Sequence, residues 1–176
     1  MTLAEFRRAY PTAAFTVSSG KPFTYRYHQN PLAEATLVLL TGGIGLSDLF
    51  YKHFARFAGD FSVLTFDYQI QFADNGEFAD AVAELLHCLK EKAWLVGQSL
   101  GGVVAQIIAA RHPEVVEGLV LSNTCSLSGS MSETGYQDLM KMIESQRKFK
   151  KWLAFLPFPL IKRMMRWAVM KKKTDG

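Results

Sequence analysis

The sequence predicts an α/β fold with three layers, in which helices cover both faces of a mostly parallel sheet. Short apolar runs alternate along the chain with longer stretches of helical periodicity, and this alternation is typical of strand–helix–strand units. Strands joined by such crossovers lie parallel to one another. At 176 residues, the chain is long enough to bury a substantial core.

Each element follows from a local pattern. Weak alternation around turn-forming residues predicts a hairpin, continuous apolar runs predict buried strands, and apolar residues three or four positions apart predict helices. In chain order the predicted elements are a hairpin over 13–28, a strand over 36–41, a helix from Ser47 or Asp48 to about Ala58, a strand over 61–66, a helix over 78–90, a strand over 93–96, a helix over 101–111 and a strand over 118–121.

The pattern changes after about Ser126, where a Ser/Gly-rich loop is followed by helical stretches and by no further strand candidate. We therefore divide the chain into a sheet-forming part, 1–125, and a helical segment, 126–176. The net charge of +4 comes from the second part, because residues 147–173 contain ten Lys and Arg and no Asp or Glu. A sheet-forming part with an excess of acidic residues argues against a nucleic-acid partner.

Cysteine usage and the chain's apolar runs bear on its compartment. Cys88 and Cys125 lie among apolar residues and form neither a disulfide framework nor a metal-binding pattern, so we expect two buried free thiols. The N-terminus lacks the apolar core of a signal peptide, and no apolar run approaches the roughly 20 residues of a membrane-spanning helix. No metal, nucleotide or hydride motif occurs. These features predict a cytoplasmic protein without a metal or cofactor.

The motif that carries chemistry is Gly97-Gln98-Ser99-Leu100-Gly101, between a predicted strand and a predicted helix. In this setting Gly-x-Ser-x-Gly is typical of a nucleophile elbow, a sharp turn that holds the serine in a strained conformation. Glycines at 97 and 101 avoid the clashes that side chains would make there. We expect Ser99 to be a nucleophile and the amide of Leu100 to donate to a developing oxyanion. The alternative is a turn that only packs a helix against a strand.

A second glycine-rich segment, TGGIG at 41–45, begins at the end of the predicted strand over 36–41. Such a loop lets a backbone amide approach a substrate oxygen, and Gly43 is our candidate for the second oxyanion donor. A plain strand-to-helix turn is the alternative.

Together these segments resemble the α/β-hydrolase fold superfamily of the serine hydrolase type. LVLLTGG resembles its strand and oxyanion loop, VLTFDYQ its next strand with Asp67 at the end, and WLVGQSLGGVVAQIIAARHPEVVEGLVLSNT its elbow strand, helix and following strand. The resemblance covers about residues 13–124. It implies that Ser99 is the nucleophile, that the amides of Leu100 and Gly43 form the oxyanion hole, and that Asp67 orders a loop.

Two positions depart from the family pattern. Thr41 stands where many members have histidine, and Tyr-Gln-Ile-Gln follows Asp67 in place of the common Gly-rich turn. Many members insert a helical cap at the point that this chain reaches after residue 124. The resemblance therefore implies that residues 126–176 are a partial helical cap.

A serine nucleophile needs a base, and the family order is nucleophile, then acid, then histidine. Only His112 follows Ser99, and no Asp or Glu lies between them. At about 1.5 Å per helical residue, His112 is expected roughly 15–18 Å from the serine. His28, His53 and His87 precede the motif, in a hairpin and two helices. The resemblance thus implies a chain truncated before the triad acid and histidine.

We therefore expect the whole protein to be an esterase- or lipase-like serine hydrolase that acts on a small-molecule ester or related acyl substrate, and this chain to be an incomplete form of it. The alternative is a non-catalytic binding or scaffold protein that keeps the fold. The basic segment 147–173, which also contains aromatic residues and two prolines, has two interpretations. It covers a substrate cleft or the missing half of the domain, or it makes a weak membrane-surface or partner contact.

Overall fold

A computed structural model describes residues 1–69 and 71–127. Within these residues, six strands form one sheet: β1 (Ala13–Thr16), β2 (Pro22–His28), β3 (Thr36–Leu40), β4 (Ser62–Phe66), β5 (Ala93–Gln98) and β6 (Val116–Ser122). Their order across the sheet is β1-β2-β4-β3-β5-β6. The first two strands form an antiparallel hairpin, β2 pairs antiparallel with β4, and the last four strands in this order run parallel. The mostly parallel sheet is therefore confirmed.

Helices lie on both faces of this sheet. They are α1 (Leu3–Ala9), α2 (Tyr51–Phe57), α3 (Asn75–Leu89) and α4 (Leu100–Arg111), with short 3-10 turns at Ser47–Phe50 and Pro113–Val115. The larger core cluster joins one face of the sheet to α3 and α4, and the smaller one joins the other face to α1 and α2. This is the three-layer αβα architecture that the sequence predicts.

Strand β3 shows how one apolar run serves both layers. Successive side chains of a strand point to opposite faces. Val38 and Leu40 accordingly lie in the cluster with α3 and α4, while Leu39 lies in the cluster with Phe6 of α1 and Phe54 of α2. A continuous apolar run is therefore needed at the centre of the sheet, because both faces are covered.

Two helical segments differ from the sequence-based expectation. Helix α1 was not predicted, although Thr2 and Glu5 form a capping box in which each side chain accepts a hydrogen bond from the other residue's amide. The expected helix from Ser47 or Asp48 begins as a 3-10 turn, and no side chain caps it. Ser47 donates to Asp67 instead, and Asp48 accepts hydrogen bonds from Arg7.

The expectation that both cysteine thiols are buried is wrong. Both cysteines are free, but Cys88 is exposed and Cys125 is half-buried. Cys88 lies four residues after Glu84 on α3 and shares its outer face, whereas Leu85 and Leu86 point into the core. The apolar neighbours in the sequence did not reveal this rotation.

The predicted cap, 126–176, lies outside the described residues except for positions 126 and 127. The division into 1–125 and 126–176 stays a prediction, as does the contact proposed for 147–173. Across residues 1–69 and 71–127, no helix has the length and apolar character needed to cross a bilayer.

Candidate active site

Ser99 occupies the junction between β5 and α4 with φ 53° and ψ −120°. A non-glycine residue in such a conformation costs about 1–3 kcal/mol and persists only where its surroundings fix it. Here the Ser99 amide donates to the Ser122 carbonyl at 3.0 Å. The Ser99 carbonyl accepts from the Gly102 amide at 3.0 Å and from the Thr124 hydroxyl at 2.8 Å. These bonds hold the strained turn from both sides.

Close backbone packing explains the two glycines of the motif. A Cβ atom at Gly97 would lie 2.6 Å from the carbonyl oxygen of Gly101, and one at Gly101 would lie 2.2 Å from the carbonyl oxygen of Leu40. Both contacts are with backbone, which cannot move aside as a flexible side chain can. The start of α4 therefore packs directly on β3 and β5, and the sharp turn at Ser99 depends on this approach.

The glycine-rich segment after β3 lies beside the serine. A Cβ atom at Gly42 would be 3.5 Å from the Cβ of Ser99, which is van der Waals contact. Gly43 lies in the next turn of the chain. The Gly45 amide closes this turn by donating to the Gly42 carbonyl at 2.8 Å. We call residues 41–45 the candidate oxyanion loop. The structure thus brings the loop that carries Gly43 next to Ser99 and the N-terminus of α4, where Leu100 lies.

The first amide groups of a helix have no partner within that helix and carry the positive end of its dipole. Leu100 is the first residue of α4. Its amide therefore suits an oxyanion beside Ser99, and the amide of Gly43 would be the second donor. These two roles remain predictions.

Residues at the end of β4 hold the loop and its continuation. Asp67 accepts hydrogen bonds from the Ser47 amide at 2.7 Å and from the Ser47 hydroxyl at 2.6 Å, so it orders the chain after the loop. The Tyr68 hydroxyl donates to the Thr41 carbonyl at 2.6 Å. Burial raises the pKa of Tyr68, which keeps this hydroxyl protonated as a donor. The Thr41 hydroxyl is buried and has no hydrogen-bond partner.

Tyr68 and Thr124 were missed as site residues by the sequence analysis. The departure from the family pattern after Asp67 marked the position of Tyr68, but no periodicity or spacing revealed its long-range bond. Thr124 packs so closely on the elbow that a Cβ atom at Gly102 would lie 2.6 Å from its side chain. Nothing in the local sequence signals that contact.

The four histidines make their contacts away from Ser99. His112 follows the last residue of α4, about 18 Å along the helix from its start, and contacts Asp80 at 2.7 Å. His87 contacts Glu114 at 3.2 Å. The ring of His28 lies against Tyr10, and the ring of His53 lies against Phe50.

Over residues 1–69 and 71–127, no group of three or more His, Cys, Asp and Glu side chains is arranged to hold a metal ion.

Comparison with known proteins gives a family match and two curated relatives. The family model described as alpha/beta hydrolase fold matches residues 70–170. A protein of Agrobacterium fabrum named "Putative carbamate hydrolase RutD" is 28% identical over 131 residues, which are 68% of this chain and 50% of the relative. The protein of the same name from Pantoea ananatis is 30% identical over 111 residues, covering 57% of this chain and 40% of the relative.

Solved structures agree on the fold. A hydrolase from Pseudomonas aeruginosa superposes with a TM-score of 0.61 at 22% sequence identity, over 87% of this chain and 62% of that protein. The chain spans half the length of one curated relative and 40% of the other. From the family match over residues 70–170, together with the sheet and the elbow, we conclude that the chain belongs to the α/β hydrolase fold family.

Proposed function

We propose that this chain carries the nucleophile and the oxyanion hole of a serine hydrolase that acts on esters or related acyl compounds. The observation that carries the proposal is the backbone of Ser99, held at φ 53° where β5 meets α4. The names of the two curated relatives support acyl chemistry, since a carbamate also contains a carbonyl carbon that a hydroxyl can attack. The substrate is expected to be a small molecule.

The proposed reaction begins when the Ser99 hydroxyl oxygen attacks the carbonyl carbon and its proton passes to a base. The electron pair of the carbonyl double bond moves to the oxygen, and the amides of Leu100 and Gly43 donate to that oxyanion. When the intermediate collapses, the carbonyl double bond re-forms and the base returns its proton to the leaving group. The leaving group departs as an alcohol or amine, and the acyl group remains on Ser99. Water then cleaves this acyl-enzyme and regenerates the hydroxyl.

The base is the part that these residues do not supply. His112 is the only histidine after Ser99, and it lies at the far end of α4, bonded to Asp80. We infer that none of the four histidines of this chain acts as the base in this arrangement. The chain by itself is therefore expected to show little or no turnover of a simple aryl ester.

An added base makes this proposal testable on the chain itself. Free imidazole at high concentration replaces the histidine base. The measurement is the release of p-nitrophenol from p-nitrophenyl acetate. We expect Ser99→Ala to remove a part of the imidazole-dependent release, and Ser18→Ala to leave it unchanged. Ser18 is the control because it is an exposed serine whose hydroxyl donates to Glu84 of α3 and to no residue of the elbow. Equal rates for Ser99→Ala and the unaltered chain would contradict the proposal.

A p-nitrophenyl carbamate tests the substrate class further. Transfer of its carbamoyl group to Ser99 would leave a mass increase that hydrolysis removes slowly. Acylation by the ester without any carbamoylation would restrict the proposal to esters. The predicted cytoplasmic location has no bearing on this experiment and stays a prediction.

The second candidate is a non-catalytic binding or scaffold protein. The observation that favours it is that all four histidines make their contacts elsewhere, although the elbow is complete in its backbone. A scaffold would show no Ser99-dependent release of p-nitrophenol even with imidazole present. The same experiment therefore separates the two candidates.

A further inference from the structure

We propose that Tyr68 is a positioning residue that holds the candidate oxyanion loop, 41–45, in place beside Ser99. The inference rests on the proposed function, because the position of this loop matters for chemistry only if its amide receives an oxyanion. Tyr68 touches neither substrate nor nucleophile in this proposal. It acts through the backbone of the loop.

Tyr68 bonds both ends of the loop. Its hydroxyl donates to the Thr41 carbonyl at 2.6 Å, and its backbone amide donates to the Gly45 carbonyl at 2.8 Å. Gly43, whose amide is the proposed oxyanion donor, lies between these two ends. Its amide keeps a fixed position only if both ends of the short loop are held.

Steric contact adds to these two bonds. Gly45 has φ +66°, and a Cβ atom there would lie 2.7 Å from the Cβ of Tyr68. The left-handed backbone conformation and the crowding both exclude a side chain at this position. Tyr68 and Gly45 therefore fit each other as a pair, and the end of the loop is fixed by packing as well as by hydrogen bonding.

Tyr68 is itself held by the core. Its ring centroid lies 4.9 Å from that of Phe78, which is buried on α3. The preceding residue, Asp67, binds Ser47 just beyond the loop. Two consecutive residues after β4 thus fix the segment 41–47 from the sheet side.

The same carbonyl links Tyr68 to the elbow. A Cβ atom at Gly101 would lie 2.6 Å from the Thr41 carbonyl oxygen, the atom that accepts the bond from Tyr68. The hydroxyl of Tyr68, the carbonyl of Thr41 and the backbone of Gly101 therefore form one contiguous contact. A shift of Thr41 would move the loop relative to the start of α4, where Ser99 and Leu100 lie.

The test compares Tyr68→Phe with Tyr27→Phe. Both substitutions remove one hydroxyl that makes a hydrogen bond, but the Tyr27 hydroxyl donates to Glu91, beyond the opposite end of the central strands. The first readout is the Ser99-dependent acylation by p-nitrophenyl acetate in imidazole, corrected by the rate of Ser99→Ala. The second is amide hydrogen exchange of residues 42–45.

Tyr68→Phe is expected to lower the Ser99-dependent acylation rate constant by about tenfold or more, since small displacements of catalytic groups have effects of this size. The apparent KM is expected to stay within about twofold, because the change acts on the oxyanion rather than on ground-state binding. Exchange of the 42–45 amides should become faster while that of α3 is unchanged. Tyr27→Phe should change neither the rate constant nor loop exchange.

The two readouts separate this inference from the proposed function. If the unaltered chain shows no Ser99-dependent acylation, the proposed function fails, and loop exchange alone decides whether Tyr68 holds the loop. If acylation depends on Ser99 but Tyr68→Phe and Tyr27→Phe lower it equally, the positioning role is overturned. Equal loop exchange in these two variants overturns it as well.

Discussion

The two ends of the central strands β3 and β5 are held by different kinds of contact. At the site end, where both strands finish, glycines at 97 and 101 permit close backbone contact, and Ser99 is strained. At the far end, where the strands begin, the Glu91 carboxylate accepts hydrogen bonds from the hydroxyls of Tyr27 and Thr36. Hydrogen bonds between side chains thus stabilise the far end, whereas the site end is shaped by close backbone packing and by side chains, such as those of Tyr68 and Thr124, that bond to backbone carbonyls.

This difference indicates that the site end contains features that lower the stability of the fold. Ser99, with φ 53° and ψ −120°, and the unpartnered buried hydroxyl of Thr41 both occur at the site end. Lys90 at the far end also has a positive φ, but it lies in the left-handed region that commonly ends a helix. Such features are expected where a structure is organised for binding or chemistry rather than for stability alone. Substitutions at the far end should therefore leave the chemistry at Ser99 unchanged. Substitutions that remove strain at the site end should raise the free energy of unfolding.

The largest effect is expected from Gly101→Ala. The new methyl group would lie 2.2 Å from the Leu40 carbonyl oxygen, so backbone must move and the free energy of unfolding should fall by about 3 kcal/mol or more. Gly59→Ala is the control, because a Cβ atom there meets only the Arg56 carbonyl, at 3.7 Å. Urea denaturation measures both. Similar midpoints for the two variants would show that the elbow is not tightly packed.

The next largest effect concerns the far end. Glu91→Ala leaves the hydroxyls of Tyr27 and Thr36 without their acceptor, and we expect a loss of about 2 kcal/mol in the free energy of unfolding. Glu117→Ala serves as the control, since its contact with Lys92 is 4.0 Å long and half exposed. Neither variant should change Ser99-dependent acylation. A loss of acylation in Glu91→Ala would remove the distinction between the two ends.

Relief of strain should stabilise the site end. Ser99→Gly and Ser99→Ala both remove the hydroxyl, but only glycine adopts φ 53° without a steric penalty. We expect the glycine variant to be about 1 kcal/mol more stable than the alanine variant by thermal or urea unfolding. An alanine variant that matches or exceeds the glycine variant would argue that the turn at Ser99 is not strained.

The smallest effect is electrostatic and depends on pH. Hydrogen bonds from the amides of Glu77 and Gly76 lower the pKa of the Asp74 carboxyl below 3.8, at the N-terminus of α3. A carboxyl whose pKa is lower in the folded state contributes stability above its unfolded pKa and loses it as pH falls through the folded value. The advantage of the unaltered chain over Asp74→Asn should therefore shrink below about pH 4. A difference that grows with acidity would contradict the assigned cap.

The sheet was predictable because short apolar runs, as in β3 and β4, alternate with stretches of helical periodicity, and because Gly-x-Ser-x-Gly lies between a strand and a helix. The elements that sequence reasoning missed depend on contacts between distant residues. Tyr68 reaches Thr41 across 27 positions, and Thr124 reaches Ser99 across 25. Helix α1 was different, since Thr2 and Glu5 carry a local signal of a helix N-terminus, three residues apart.

The glycines of the motif mark the turn at Ser99 in the local sequence. A Cβ atom at Gly97 would meet the backbone of Gly101 and Gly102, within a few residues of Ser99, whereas one at Gly101 would meet the backbone of Leu40 and Thr41 at the end of β3. Only the requirement at Gly97 is therefore local in sequence. Cys88, by contrast, was assigned to the interior from its apolar neighbours. Its exposure depends on the rotation of α3 about its axis, which only the packing of Leu85 and Leu86 decides.

The most direct test of the central claim is the site at which a fluorophosphonate, supplied at one equivalent with free imidazole, attaches to the chain. Peptide mapping by mass spectrometry locates the adduct. We predict attachment to Ser99, and no adduct after Ser99→Ala. An adduct distributed over exposed serines such as Ser18 and Ser122, with none on Ser99, would contradict the claim that the strained end of the sheet is a reactive site.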